Sequence, residues 1–327
     1  MTLQRERSRG SRSVAFDIFI ANFLQALATG ILVGGVYALM SIGLALIFGI
    51  MRVINFAQGD FLMLGMYAAW YLVVGFGVLA FLGPIVGPLA GAFLAGPILF
   101  AFAYLLHRLL ISRVTGTRRG GQDAQLILTL GISLVLANLG LIVFGSFPQS
   151  IRTPLSTSAW EIGPVFVNQA RGVAFVVAVL LAIGLYLFLN NTAIGKSLRA
   201  AADNPEAATY MGIDVDLAHR IAFSVGIALT AIAGGLVATY YQFQPYVGLE
   251  FVVIMYVSVV LGGLGSTVGA FFGGLIIGLV QQLWPVMADV LGIQNPIQLQ
   301  NAVIFLMFLL IVYLRPQGFF GRFATRT

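Results

Sequence analysis

Few polar residues interrupt this chain, and each group of them poses a chemical question. The triplet Gly195-Lys196-Ser197 has the residue types that close a phosphate-binding loop. Such a loop also needs a glycine five residues before the Gly-Lys pair, so that successive backbone N–H groups curl round phosphate. Asn190 stands there instead, so the triplet reads as the mouth of a membrane helix with its interfacial lysine. A second group, Arg52, Asn55, Gln58 and Asp60, lies between two apolar runs. It is either a plain interfacial loop or a re-entrant polar segment lining a path for solute. Ionisable residues at membrane depth face a cavity or one another, and Arg52 with Asp60 would make a nearly neutral pair. An acid, then Phe, then an aliphatic run occurs at Asp60-Phe61 and again at Glu250-Phe251. Repeated halves of that kind bind solute near their interface, which makes Glu250 a further candidate for the path. No carboxylate pair shares an apolar run, there is no cysteine, and His107 and His219 sit among basic loop residues. Neither a hydrolytic dyad, a proton relay nor a thiolate metal site is supported, so the chain does not read as an enzyme.

The elements that must position these residues are membrane helices. Hydrophobic residues make up 60% of the chain and charged ones 9%, with 39 glycines, and the mean hydropathy is +0.99. A helix needs about 20 mostly apolar residues to cross the hydrocarbon core. Charge-free runs of that order or longer lie at Ile18–Met51, Phe61–Leu106, Ala124–Ile151, Gly172–Gly195, Ile221–Leu249, Phe251–Ala288 and Val290–Leu314. They are continuously apolar rather than alternating, which excludes a β-barrel. The fold class is all-α, a polytopic membrane protein with about eight to ten spans. The net charge of +6 reflects basic residues held in cytoplasmic loops, not a nucleic-acid partner. That rule puts Arg5–Arg12, His107–Arg119, Lys196–Arg220 and Arg315–Arg326 on one side. Counting crossings then requires residues 18–50 and 251–283 each to cross twice or to break, or the N-terminus to lie outside. Glycines supply candidate breaks: Gly30, Gly34 and Gly35 in the first stretch, and Gly262, Gly263 and Gly265 in the second. They mark either close helix packing or broken helices, and parity favours the break. Organisation follows: a basic tail over 1–17, one transmembrane domain over 18–314, and a basic tail over 315–327. Residues 146–171, with Trp160, form the largest extracytoplasmic loop, and 284–298 form another.

One polar island stands out, Asn190 to Arg220. Within it Asn204 is an N-cap, Pro205 suits the first helical position, and Glu206 favours the positive end. Gly212 supplies a left-handed stop. The enclosed helix is too short to be stable alone. Ala207, Tyr210 and Met211 share a face by their spacing, which suits docking in a groove on a partner; a solvated loop with an incidental helix is the other reading.

Four blocks in order carry a family resemblance: "GGVYALMSIGLALIFGIMRVINFAQGDFLMLGMY", "GKSLRAAADNPEAATYMGIDVD", "VVLGGLGSTVGAFFGGLIIG" and "LRPQGFFGR". The chain resembles the permease subunits of bacterial branched-chain amino acid ABC importers, most of all the first of their two permeases. The match covers nearly everything after about residue 20. Gln58 departs from the histidine usual in that family, Asp60 keeps the acid, and the Arg-rich start is an extension. The resemblance implies the importer permease fold and a multi-pass protein of the inner (plasma) membrane. It also implies a second homologous permease, two ATPases that hold ATP and Mg, and an extracytoplasmic solute-binding protein. This chain would bind no cofactor or metal itself. Asn204, Pro205, Glu206, Ala207, Ala208, Tyr210, Met211 and Gly212 would form the coupling helix that meets an ATPase. Leucine, isoleucine and valine are the implied solutes, with urea, short amides or another amino acid as alternatives. An ion-coupled secondary transporter is the rival class.

Overall fold

Helices account for nearly all of the regular structure in a computed structural model. It describes residues 2–115, 121–315 and 317–321, with side chains from residue 16 onward except 80, 115, 121 and 122. The helices run as α1 Thr2–Met51, α2 Gln58–Trp70, α3 Gly83–Leu106, α4 Ser112–Thr115 and α5 Gly121–Phe144. They continue as α6 Pro154–Thr157, α7 Gln169–Asn191, α8 Ala193–Asp203, α9 Pro205–Tyr210 and α10 Val215–Val237. The last are α11 Val247–Gly262, α12 Thr267–Val290 and α13 Gln300–Leu314. π-type turns extend α2 through Gly75 and join α3 to α4. A small antiparallel hairpin, β1 Ala159–Ile162 with β2 Val165–Asn168, lies between α6 and α7. Among the described residues six helices are long and apolar enough to cross a membrane, and α11 and α13 are shorter apolar helices. The protein is an all-α, multi-pass membrane protein.

Two helices form the centre. The spans of α1 and α10 are mostly buried within the chain, whereas those of α3, α5, α7 and α12 mostly face outward. Apolar side chains point outward along α5, including Leu134 and Ile142, as expected of a surface against lipid or another apolar partner. α1 packs antiparallel to α12, with Gly30 against Leu279, Gly34 against Leu275 and Gly49 against Gly265. α10 packs antiparallel to α1 through mutual contact of Gly43 and Gly226, and antiparallel to α3 through Gly96 and Ile232. α2 runs parallel to α10, with Phe61 edge-on to Phe223 at 6.1 Å and Gly65 on Ala231. α11 returns antiparallel to α12, with Gly262 on Gly269. The pairs α1–α12 and α10–α3 thus correspond, as do α2 and α11, with every direction reversed. The chain is built as two inverted halves, an arrangement that sets matching helix ends face to face. Gly59 and Gly248, each the second residue of its helix, touch backbone to backbone.

One expectation fails here and its counterpart holds. α1 is unbroken through Gly30, Gly34 and Gly35. Those glycines instead remove side chains where α12 and the ring of Phe175 approach, the close-packing use of small residues in membranes. The apolar part of α1, Phe16–Met51, has 36 residues, about 54 Å of helix, and crosses once. Its two ends therefore lie on opposite faces, and the first basic cluster precedes the end away from Arg52. The Arg5–Arg12 side chains, Arg118, Arg119 and most of the C-terminal tail lie outside the described residues. The break between α11 and α12 is real. Gly263 and Gly265 adopt φ of 103° and 85°, which side chains disfavour, and Ser266 Oγ then caps α12 by accepting from Gly269 N at 3.0 Å. The expected loop at 284–298 is shorter, because α12 continues through Pro285 to Val290. Proline leaves the carbonyl four residues back without its helical partner, and the Gln300 amide donates to that Gln281 oxygen.

An alanine Cβ at Gly34 would meet the Leu275 backbone at 2.9 Å, whereas one at Gly131 would meet nothing within 4 Å. Gly34→Ala should therefore cost about 1–3 kcal/mol and Gly131→Ala nothing measurable, read as thermal unfolding midpoints in detergent.

Candidate functional site

The polar island folds as two consecutive capped helices. Thr192 Oγ1 accepts from Gly195 N at 3.0 Å and starts α8. Gly195 is buried against Phe188 and Leu189, so the Gly-Lys-Ser triplet is a helix's first turns and no cradle for phosphate. Lys196 and Arg199 face solvent, and Arg199 donates to Asn190 Oδ1 at 2.9 Å. Asn204 ends α8 and caps α9, its Oδ1 accepting from Ala207 N at 3.0 Å. Pro205 and Glu206 occupy the first turn. Ile213 N returns to Ala208 O at 3.0 Å while Gly212 turns left-handed at φ 81°, the stop that a helix of this kind uses. Ala208 points inward and anchors α9, while Tyr210 and Met211 are 89% and 82% exposed. A tyrosine and a methionine held out on a rigid two-turn helix form an apolar prominence surrounded by charge.

The second group divides. Arg52 ends α1 in a left-handed conformation, φ 54°, and its guanidinium donates to Ala202 O on α8 at 3.3 Å. The contemplated pair with Asp60 does not form. Asp60 is buried in the first turn of α2, beside the Ser133 hydroxyl of α5. Asn55 and Gln58 are buried and committed to one another: Asn55 Nδ2 donates to Gln58 Oε1 at 2.9 Å, and Asn55 Oδ1 accepts from Ala57 N. Gln58 Nε2 donates to Thr230 Oγ1 on α10 at 2.6 Å, and that hydroxyl donates to Gly226 O. The network closes the irregular turn between α1 and α2 and fastens it to α10, which satisfies polar groups that lipid would leave bare. Glu250 lies in the first turn of α11, exposed, and accepts from the Tyr241 hydroxyl at 3.1 Å. Like Asp60 in the other half, it lies in the first turn of its helix.

A cleft of about 820 Å³ opens beside α8. Its walls bring Arg52 and Asp203 together with Gly265 and Ser266 of the helix break and Asp123 of α5. The end of α1, the end of α8 and the α11–α12 turn therefore meet at one place. Sequence reasoning did not find the neighbouring cluster in which Arg220 pairs with Asp216 and lies 5.2 Å over the Tyr104 ring. His107, expected in a loop, is fully buried there against Phe223, with Nδ1 3.2 Å from Ser112 Oγ. Only the four-residue spacing of Asp216 and Arg220 would have signalled any of it.

Comparison with known proteins bears on this geometry. A family model described as "Branched-chain amino acid transport system / permease component" matches residues 26–312. The chain belongs to that permease family. It is 32% identical over 311 residues to the high-affinity branched-chain amino acid transport system permease protein BraD of Pseudomonas aeruginosa, covering 93% of this chain and 97% of BraD. Identity to the LivH permease protein of Escherichia coli K12 is 29% over 309 residues, covering 92% and 96%. A probable LivH of Methanocaldococcus jannaschii is 32% identical over 262 residues, covering 77% and 78%. Members of the family are transport components of ABC transporters and not enzymes. The family match over residues 26–312 spans both inverted halves and the α8–α9 segment between them.

Gln58→Ala removes the donor to Thr230 and the acceptor for Asn55 in a buried site. It should cost about 1–3 kcal/mol in the thermal stability of the purified permease. Arg52→Ala, at an exposed position, should leave stability within about 0.5 kcal/mol.

Proposed function

We propose that this chain is the membrane-spanning subunit of an ATP-driven importer for leucine, isoleucine and valine. It works in the plasma membrane of a bacterial cell, the inner one where there are two. An extracytoplasmic binding protein delivers the solute, a second homologous permease completes the passage, and two ATPases drive it with ATP and Mg bound on themselves. This chain holds no cofactor. The observation that carries the reading is α9. Its cap, its left-handed stop and its outward Tyr210 and Met211 leave an apolar prominence that this chain does not cover. A groove on an ATPase is the surface it fits, as a helix docks by a few anchoring side chains.

In this reading a cytoplasmic ATPase pulls on α9 and α8, and the segment moves as a rigid body. Arg52 grips α8 and the same cleft reaches the α11–α12 turn, so displacement reaches both halves at their ends. Asn55, Gln58, Asp60 and Glu250 stay the candidate wall of the path, Glu250 being the exposed one. Solute preference rests mainly on the binding protein. A mostly apolar path with few fixed charges suits an aliphatic zwitterion.

Two substitutions test the coupling assignment in proteoliposomes that contain the whole importer. Glu206→Lys reverses the charge at the positive end of α9. Gly212→Pro imposes a negative φ and removes the N–H that donates to Thr209 O. Both proteins should insert normally, while ATP-dependent leucine uptake falls about tenfold or more. Full uptake in both variants refutes the coupling assignment, and wild-type uptake that persists without ATP refutes the importer.

A further inference from the structure

A second large cavity opens on the face opposite the coupling segment. Its volume is about 710 Å³, within the range of about 300–1,000 Å³ typical of small-ligand sites. It lies where α1 and α12 separate beyond their Gly30–Leu279 contact, with α7 forming the third wall. Two opposite charges line it, Arg171 from the first turn of α7 and Asp289 from the end of α12. They form no ion pair with each other, for the one within 4.0 Å among the described residues is Arg220 with Asp216. The Arg171 guanidinium lies 5.7 Å from the centre of the Tyr240 ring, which holds it in place, and makes no hydrogen bond among the described residues. The lining also carries apolar side chains, Phe19 and Val286 among them, and the amide groups of Asn22, Gln25 and Gln282. A cation and an anion without ion-pair partners in a partly apolar cavity complement a ligand that carries both charges and a hydrocarbon side chain.

The surroundings favour a solute delivered from outside. Gln25, on the same wall, clasps the β-hairpin of the 146–171 loop, donating to Phe166 O and accepting from Phe166 N at 2.8 Å each. Trp160 of that hairpin packs on Gly172, next to Arg171. The cavity rim is thus continuous with the largest loop on that face.

We propose that this cavity is a receiving site for an aliphatic α-amino acid, with Arg171 binding the carboxylate and Asp289 the ammonium group. The proposal rests on the importer reading and adds the residues that accept the solute after its release from the binding protein. A zwitterionic phospholipid headgroup offers the same pair of charges, and the test separates the two sources.

The complete importer is reconstituted and two measurements are made. Leucine uptake is followed in wild type, Arg171→Gln, Asp289→Asn, Arg171→Lys and the exchange Arg171→Asp with Asp289→Arg. Photolabelling by a diazirine analogue of leucine, mapped by mass spectrometry, reports occupancy. The two neutralising variants should raise the apparent KM for leucine about tenfold or more. Arg171→Lys and the exchange should recover part of the loss. Label should fall on 18–29 and 282–296, and excess leucine should displace it. Unchanged KM in both neutralising variants, or label displaced by phosphatidylethanolamine and not by leucine, overturns the site while wild-type uptake keeps the importer reading intact. Absence of leucine uptake by the wild type overturns both.

Discussion

Backbone contact between α1 and its neighbours is the constraint on which the remainder of this structure depends. Lipid gives helices no hydrophobic reason to associate, so attraction must come from close van der Waals approach. Gly34 faces Leu275 and Gly43 faces Gly226, so that α12 and α10 both lie against α1 where any side chain would intrude. With α1 and α10 buried in this way, the outer helices can be generally apolar without a specific pattern. The polar interruptions can then be confined to the few places where helices end. Every irregular segment of note borders this centre. The turn between α1 and α2 is fastened by Gln58 to α10, and the break between α11 and α12 rests Gly265 on Gly49.

The inverted halves explain why those irregular segments come in related places. α2 and α11 both begin inside the structure, and their second residues meet at Gly59 and Gly248. Each carries a carboxylate in its first turn, Asp60 and Glu250, where the helix dipole favours negative charge. The environments differ. Asp60 is enclosed beside Ser133, whereas Glu250 is exposed beside Tyr241. The two halves have thus diverged in what surrounds these first-turn acids.

Much of this was legible in the residues, for reasons that differ by element. The spans were evident because lipid tolerates so little charge, and α9 because Asn204, Pro205 and Gly212 each have one economical use at a helix end. Gly262, Gly263 and Gly265 were readable as a break through parity. The same parity argument misled at Gly30, Gly34 and Gly35. A glycine that admits a neighbouring backbone and a glycine that ends a helix look alike until the neighbour, here α12, is known. Arg52 with Asp60 looked like a pair because opposite charges at membrane depth neutralise one another, yet Arg52, left-handed at the end of α1, donates to Ala202 O. Arg171 and Asp289 carried no sequence signal at all. They lie 118 positions apart in the sequence and share a cavity only because α7 and α12 both border the far end of α1.

The two cavities lie along one seam. On the α8 face the cleft is lined by Gly49 of α1 and Thr267 of α12; on the opposite face the cavity is lined by Thr29 of α1 and Gln282 of α12. Between them stands the Gly34–Leu275 contact, where the helix backbones touch and neither can advance. A packed contact of this kind transmits displacement without compressing. Any tilt of α12 about that point widens the seam at one face as it narrows it at the other. At the α8 face the seam is bounded by Arg52, which ties α1 to α8, and by Gly265, which abuts Gly49.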